Sequence, residues 1–347
     1  MASKSASGFV AASEKIEDLR AAKNEWAARL VHRQAGATRT RAAAASAAPS
    51  DNVVGVGIGE KLSGGAETGI MAVKFLVRKK YPEGQMSAKQ ALPASLAGLP
   101  TDVEEVGELR AFRRGSARAS AQTAMPDPKT RIRPAQPGCS VGFADPANQF
   151  VMAGTFGALV KNQGGLYVLS NNHVLADENQ LPAGSPIYQP GLLDGGQVPT
   201  DQIAKLKRAV RLRAGVANKV DAAIATVLKA SLVSNEVLHI GAPTGKKKAE
   251  IGMEVHKFGR TTSYTAGRVT SIETDVSVSY ETGTFTFADQ IIIVGLSGSF
   301  SAAGDSGSLI LERSTQKAVG LLFAGSSTHT IANHIAKVLS ALRVSLA

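Results

Sequence analysis

Residues 304–311 read Gly304-Asp305-Ser306-Gly307-Ser308-Leu309-Ile310-Leu311. A serine acts as a nucleophile when a tight turn aims its Oγ outward and neighbouring backbone N–H groups converge on one spot. Glycines at 304 and 307 permit such a turn, because a Cβ there would strain the backbone or meet the substrate. The apolar run Leu309–Leu311 predicts a strand that holds the turn rigid. Four small polar residues also make an ordinary hairpin turn, so the surrounding chain has to decide between the two readings.

From Pro137 onward the texture is short strands separated by turns. SVGF, GTFGALV, LYVLSN, VDAAIATVL, EVHKFG, AGRVTSIET, VSVSY, TFTFADQIIIV, SLILE and AVGLLFAG all qualify. Asn162-Gln163-Gly164-Gly165 predicts a hairpin between two of them. About ten short strands with regular turn signals argue for a mainly β domain, a sandwich or a pair of barrels. After them, 331–346 (IANHIAKVLSALRVSL) sets Ile331, Ile335, Val338, Leu339 and Leu342 on one helical face.

Upstream, 14–33 places Ile16, Leu19, Ala22, Trp26 and Leu30 at helical spacing between charges. This helix is expected to dock on its own protein or on a second copy, the route to a homo-oligomer. An Ala/Thr/Arg/Ser-rich linker then completes 1–49. Residues 50–112 predict a small α/β unit, with strands in DNVVGVGIGEKL and GIMAVKFLVRKK joined at Ser63-Gly64-Gly65. It continues with a short helix in SAKQALPASLAGL and a third strand in TDVEEVGELRAF. The run Gly55-x-Gly57-x-Gly59 lies inside a strand and is followed by no Gly-Lys-Ser/Thr, which argues against a phosphate loop. Residues 113–136 are Arg-, Ser- and Pro-rich with no apolar period and read as an exposed linker, open to proteases. The β domain is 137–347, divided near 137–235 and 236–328 before the last helix.

The formal charge is +11, and residues 1–134 carry 21 Lys and Arg against 13 Asp and Glu. The basicity thus belongs to the N-terminal region. Without interleaved aromatics it reads as a solubilising arm, and nucleic acid is not expected as a partner. The single cysteine, Cys139, leaves no internal disulfide and speaks against a stapled secreted domain. MASKSASGFVAASEK lacks a long apolar stretch, and no run approaches the ~18 apolar residues of a membrane helix. A cytoplasmic protein without membrane contact is the expectation.

A nucleophilic serine needs a base within hydrogen-bond reach, and the base needs a carboxylate to fix its tautomer. His173 follows the apolar strand 166–169 and begins a short helical turn, so a sheet end can aim it. A satisfied histidine at a strand terminus has the same local pattern. Asp221 opens the strand VDAAIATVL, where a carboxylate is costly unless it accepts strong hydrogen bonds. Its rival is Asp201, in more polar surroundings. His239, His256 and His334 have no metal-ligand spacing and read as surface or structural, so neither metal nor cofactor is called for.

The order His173, Asp221, Ser306 is similar to that of trypsin-like serine peptidases. LSNNHVLA resembles their histidine motif, DAAIA their aspartate motif and GDSGS their serine motif. FGRTTSYTAGRV (258–269) resembles a strand-turn-strand of the bacterial secreted branch, and GLLFAGSS (320–327) its substrate-binding strand. VVGVGIG and LPTDVEEVGELRAF resemble the N-terminal portion of the narrow-leaf-type plant proteins and their bacterial relatives, so the likeness spans about 50–347. It implies two β-barrels with a triad between them and a serine endopeptidase acting on a protein or peptide. It also implies an oxyanion hole at the N–H groups of Gly304 and Ser306, and a pocket with Phe300 at its base and Phe323, Gly325 and His329 in its walls. No aspartate lies at that base, which disfavours cleavage after Lys or Arg. There is no disulfide framework, no activation motif before Cys139-Ser140-Val141, and Ser308 stands where many relatives have glycine. Two other function classes remain open, an idle protease-like scaffold that binds peptides and a nucleic-acid-associated regulator using the basic arm.

Overall fold

Val269, Val276, Val278, Phe285, Phe287, Ile291 and Ile293 are buried along two long strands, Ser263–Ser279 and Thr284–Gly295. Their β-branched and aromatic side chains suit a pleated, half-buried surface, and the pair forms the spine of a sheet of 12 strands among the described residues. The computed structural model of the chain describes residues 6–32, 52–81, 91–111, 126–145 and 150–347. The linker over 35–50, residues 113–125 of the second linker and the start of the helix expected after 86 lie outside the described residues.

Within the larger sheet the strands Glu254–Gly259, Ser263–Ser279, Thr284–Gly295, His329–His334, Ala318–Gly325 and Leu309–Glu312 pair in a ring, the last closing on the first. Val255, Val269, Ile291, Ile293, Phe300 and Ile310 fill its interior. A second sheet carries Ser140–Asp145, Ala158–Asn162, Gly165–Ser170, Gln202–Ala209 and Ala223–Val227. Its core includes Phe143, Phe156, Val168, Leu169 and Ile224, closed at one end by Ile335, Val338, Leu339 and Leu342 of the last helix. Each such aliphatic side chain contributes about 1.5–3 kcal/mol by leaving water. The fold is mainly β, with two sheets and few helices, as the turn spacing predicted. The hairpin at 162–165 is present, with Asn162 opposite Gly165.

The N-terminal strands extend the same larger sheet. Val53–Ser63 pairs with Ser263–Ser279 on one side and with Ala66–Val77 on the other, and Leu99–Glu105 adds parallel to the latter. The helix Ala6–Leu30 lies across them, with Leu19 and Ala27 buried against Val53, Val56, Val73 and Phe75. Trp26 meets Phe75 edge-on at 5.5 Å, and Lys23 pairs with Asp275 at 2.5 Å. That apolar face is therefore filled by the chain's own sheet. The glycines at 55–59 serve this packing, since a Cβ on Gly57 would stand 2.2 Å from Thr274 Oγ1.

Three local expectations differ from the structure. Over 91–99 there is no helix; Ser95–Leu96 and Leu99–Glu105 turn tightly on Ala97 and Gly98, both at positive φ. The strand expected over 101–112 breaks at Gly107, φ 74°, and resumes as Arg110–Ala111 on a different partner. The last helix spans Ile335–Leu342, because Ile331 is claimed by the buried strand His329–His334 between two neighbours.

Candidate active site

His173 sits in the single turn Asn172–Leu175, at the end of the buried strand Gly165–Ser170. Asp221 precedes Ala223–Val227, which pairs with that strand. The pairing sets the two side chains together: His173 Nδ1 lies 2.5 Å from Asp221 Oδ2, and both are fully buried. A carboxylate only accepts, so Nδ1 carries a proton, and in the neutral ring Nε2 presents the lone pair. Nε2 is buried with no hydrogen-bond partner among the described residues. Asp201 is committed elsewhere, 2.6 Å from Arg131 Nε and 3.4 Å from an Arg133 nitrogen.

Asp221 is held on every side. Its Oδ1 accepts the Asn172 N–H at 2.6 Å, its backbone N–H donates to Asn333 Oδ1 at 2.9 Å, and its carbonyl accepts from Asn171 Nδ2 at 2.8 Å. Tyr280 donates its hydroxyl to Oδ2 at 2.7 Å, with its ring edge-on to His173 at 5.8 Å. Burial and the Asp221 charge push the Tyr280 phenol well above its usual range, so the hydroxyl stays a donor. Sequence reading gave no sign of this residue, because Tyr280 lies 59 positions from Asp221 and at a strand end. Tyr280→Phe should leave Asp221 one donor short and strengthen its hold on the imidazolium form of His173. The acid limb of the kcat/KM profile should then move to higher pH, and an unchanged profile would deny Tyr280 that influence.

Ser306 stands on a turn between residues 302 and 308 that needs both glycines. Gly304 and Gly307 have φ of 98° and 95°; a Cβ on the first would lie 2.4 Å from Thr261 Oγ1, and on the second 2.1 Å from Ser170 Oγ. Asp305 organises the turn from inside. Its carboxylate accepts from Thr261 N–H at 2.8 Å, Thr262 N–H at 3.1 Å, Thr262 Oγ1 at 2.6 Å and Ala302 N–H at 2.9 Å. Lys257 Nζ is 3.5 Å from the same carboxylate, and both side chains are fully buried. Burial pulls the Lys257 pKa down while the Asp305 charge opposes it. The N–H groups of Asp305, Gly307 and Ser308 bond to Ala302, Leu322 and Asp305 carbonyls; among the described residues none accepts from Gly304 N–H.

Thr155 joins the two halves. Its N–H donates to Ser306 O at 2.8 Å and its hydroxyl to Gly304 O at 2.9 Å, while its carbonyl accepts from Ser170 Oγ at 2.7 Å. Ser170 lies three residues before His173, so one threonine ties the serine turn to the histidine strand. Ser306 Oγ lies 3.4 Å from the Phe323 carbonyl. Ser306 has no exposed surface.

The four residues expected to line a pocket have these surroundings. Phe300 is buried in the barrel interior with Val255 and Ile310, whereas Phe323 packs on Phe287 at 4.7 Å in a separate cluster. Gly325 faces Arg110. His329 Nε2 is 3.0 Å from Glu104 Oε1, and Lys74 Nζ lies 2.7 Å from the other Glu104 oxygen. Burial alone would raise the Glu104 pKa, but the His329 hydrogen bond and the Lys74 charge outweigh it and hold it at about 2. A carboxyl depressed from the usual 4.5 stabilises the fold above that value, and the contribution is lost as pH falls toward about 2. Urea midpoints of wild type and Glu104→Gln should therefore differ at pH 6 and converge on acidification; a constant gap would show that the charge is not what holds Glu104.

Among the described residues no helix is long and apolar enough to cross a membrane. Cys139 is buried, its thiol pushed up to about 12 by desolvation. No curated protein matches the chain in sequence. Among solved structures, a glutamic acid specific serine protease is 19% identical over 61% of this chain and 100% of its own, with a TM-score of 0.44. Protease A of Thermobifida fusca is 16% identical over 60% and 96%, at 0.42. An α-lytic protease homologue, N4, is 17% identical over 61% and 98%, at 0.44. All three are distant likenesses. Residues 166–329, which contain His173, Asp221 and Ser306, match the model of peptidase family S64, and that match supports a serine peptidase.

Proposed function

We propose that this chain is a serine endopeptidase working through an acyl-enzyme, with Ser306 as nucleophile, His173 as base and Asp221 as the group that orients it. The observation that carries the reading is the buried His173–Asp221 pair, at 2.5 Å, with Nε2 on the ring's other side unpartnered among the described residues. Ser306 Oγ attacks the peptide carbonyl carbon as its proton passes to His173 Nε2. The tetrahedral intermediate collapses, the C–N bond breaks, and His173 returns the proton to the leaving amine. Water then repeats the sequence on the ester. The N–H groups of Gly304 and Ser306 are the proposed oxyanion donors, each worth about 3–4 kcal/mol. A protein or peptide is the substrate, and the side chain before the scissile bond is apolar, read by Phe300, Phe323 and Gly325. His329 joins that wall only if Glu104 leaves it. The kinship with narrow-leaf-type proteins, the domain limits given above, assembly through the N-terminal region and a cytoplasmic setting rest on the sequence alone.

The complete burial of His173 and Ser306 favours a second reading, a peptide-binding scaffold without catalysis. A fluorophosphonate probe separates them. Covalent labelling of Ser306, absent in Ser306→Ala, is the expected result; a folded protein that never labels is the scaffold.

A further inference from the structure

The strand Ala318–Gly325 is paired along one side with His329–His334. On its other side Leu309–Glu312 accompanies it only as far as Leu321, and Leu322 is met by the backbone of Gly307 and Ser308. Beyond that point a sheet edge begins beside the nucleophile, since the Phe323 carbonyl is 3.4 Å from Ser306 Oγ. An extended peptide binds such an edge by adding a strand, with backbone hydrogen bonds for affinity and alternate side chains for specificity. In the folded chain the place is already taken. Ala111 lies opposite Ala324 and Arg110 opposite Gly325, antiparallel, so the added strand runs toward Phe323 and Ser306.

Several contacts fix this occupant. Leu109 and Ala111 are buried in the apolar cluster that contains Phe323, Phe287 and Ile331, while Arg110 points outward and pairs with Glu108. Ser279 N–H donates to Leu109 O at 3.0 Å. Gly107, at positive φ, turns the chain out of Leu99–Glu105 and onto this edge. Just before that turn Glu104 is pinned between His329 and Lys74.

We propose that residues 108–111 occupy the substrate edge of this peptidase as a bound peptide would, and keep it latent until they leave. The occupant also describes the substrate: an extended segment with apolar side chains two residues apart, at the positions of Leu109 and Ala111, and a freely chosen residue between them. The inference rests on the peptidase reading and adds its regulation and substrate class. It accounts for a nucleophile with no exposed surface in a chain whose triad residues are all present.

The test is made on the full chain. Directly opposed antiparallel residues fall within the Cα separation that a disulfide spans, so Ala111→Cys with Ala324→Cys locks the strand in place. Cys139 is buried and does not compete. Labelled casein should be cleaved at least about tenfold faster by the reduced pair than by the oxidised pair, as the open fraction rises. Leu109→Asp, which sets a charge in the apolar cluster, should exceed wild type by about tenfold for the same reason. Equal casein rates in the oxidised and reduced pair, with fluorophosphonate labelling Ser306 in both, would overturn the latency. Failure of the probe in every form, the Leu109→Asp form included, would instead remove the peptidase reading on which it stands. If Leu109→Asp does not fold, the redox comparison decides alone.

Discussion

Ser306→Ala should lower kcat on casein by about 10⁶ while the protein remains folded. The substitution deletes one oxygen, and the other hydroxyl of the turn, that of Ser308, is engaged with the Asp305 carbonyl at 2.6 Å. Its structural cost is small, since a neutral hydrogen bond is worth only about 1 kcal/mol net. The comparison is best made in the Leu109→Asp background, where the edge is expected to be open, with thermal melts run alongside. Cleavage at the parent rate by a folded Ser306→Ala protein would end the peptidase reading. A loss of folding would instead show that the hydroxyl is structural.

The second large effect concerns Lys257. Lys257→Met should destabilise the protein by about 3–5 kcal/mol, because it strands the buried Asp305 carboxylate without its counter-charge. A typical domain has only about 5–15 kcal/mol in all, so denaturant midpoints should fall steeply. Asp305 also holds Thr261, Thr262 and Ala302, and the Ser306 turn hangs on those bonds. Activity should therefore fall before global unfolding does. Adding Asp305→Asn to Lys257→Met removes the orphaned charge and should recover part of the stability. A single variant that melts with wild type would show that the carboxylate is sustained by its hydroxyl and backbone donors alone.

Lys257 illustrates what a sequence conceals. In Glu254-Val255-His256-Lys257-Phe258-Gly259 it is a charged side chain in a short strand, yet it is fully buried. Its counter-charge 48 residues later, inside the serine turn, and the oxygens of Thr262 and Ser263 that accept from it make that burial tolerable. Asp305 was legible as a turn residue, not as the hub of that turn. The tyrosine on Asp221 and the glutamate on His329 were invisible for the same reason: each contact joins positions that local periodicity cannot relate.

The sequence by itself determined the mainly β class, the hairpin at 162–165, the helical period of the N-terminal segment and the three residues put forward for catalysis. Those are local properties: alternation of burial along a strand, the backbone freedom of glycine at a tight turn, and the short-range pattern around each motif. Tertiary structure alone decided that the strands of 53–105 extend the serine-bearing sheet, because backbone hydrogen bonding across an edge leaves no mark in composition. It also decided that Gly107 turns 110–111 onto the strand beside Ser306. A sheet edge accepts any extended segment that fits its length and buries its apolar side chains. Which segment fills it is settled by where the rest of the chain has been placed.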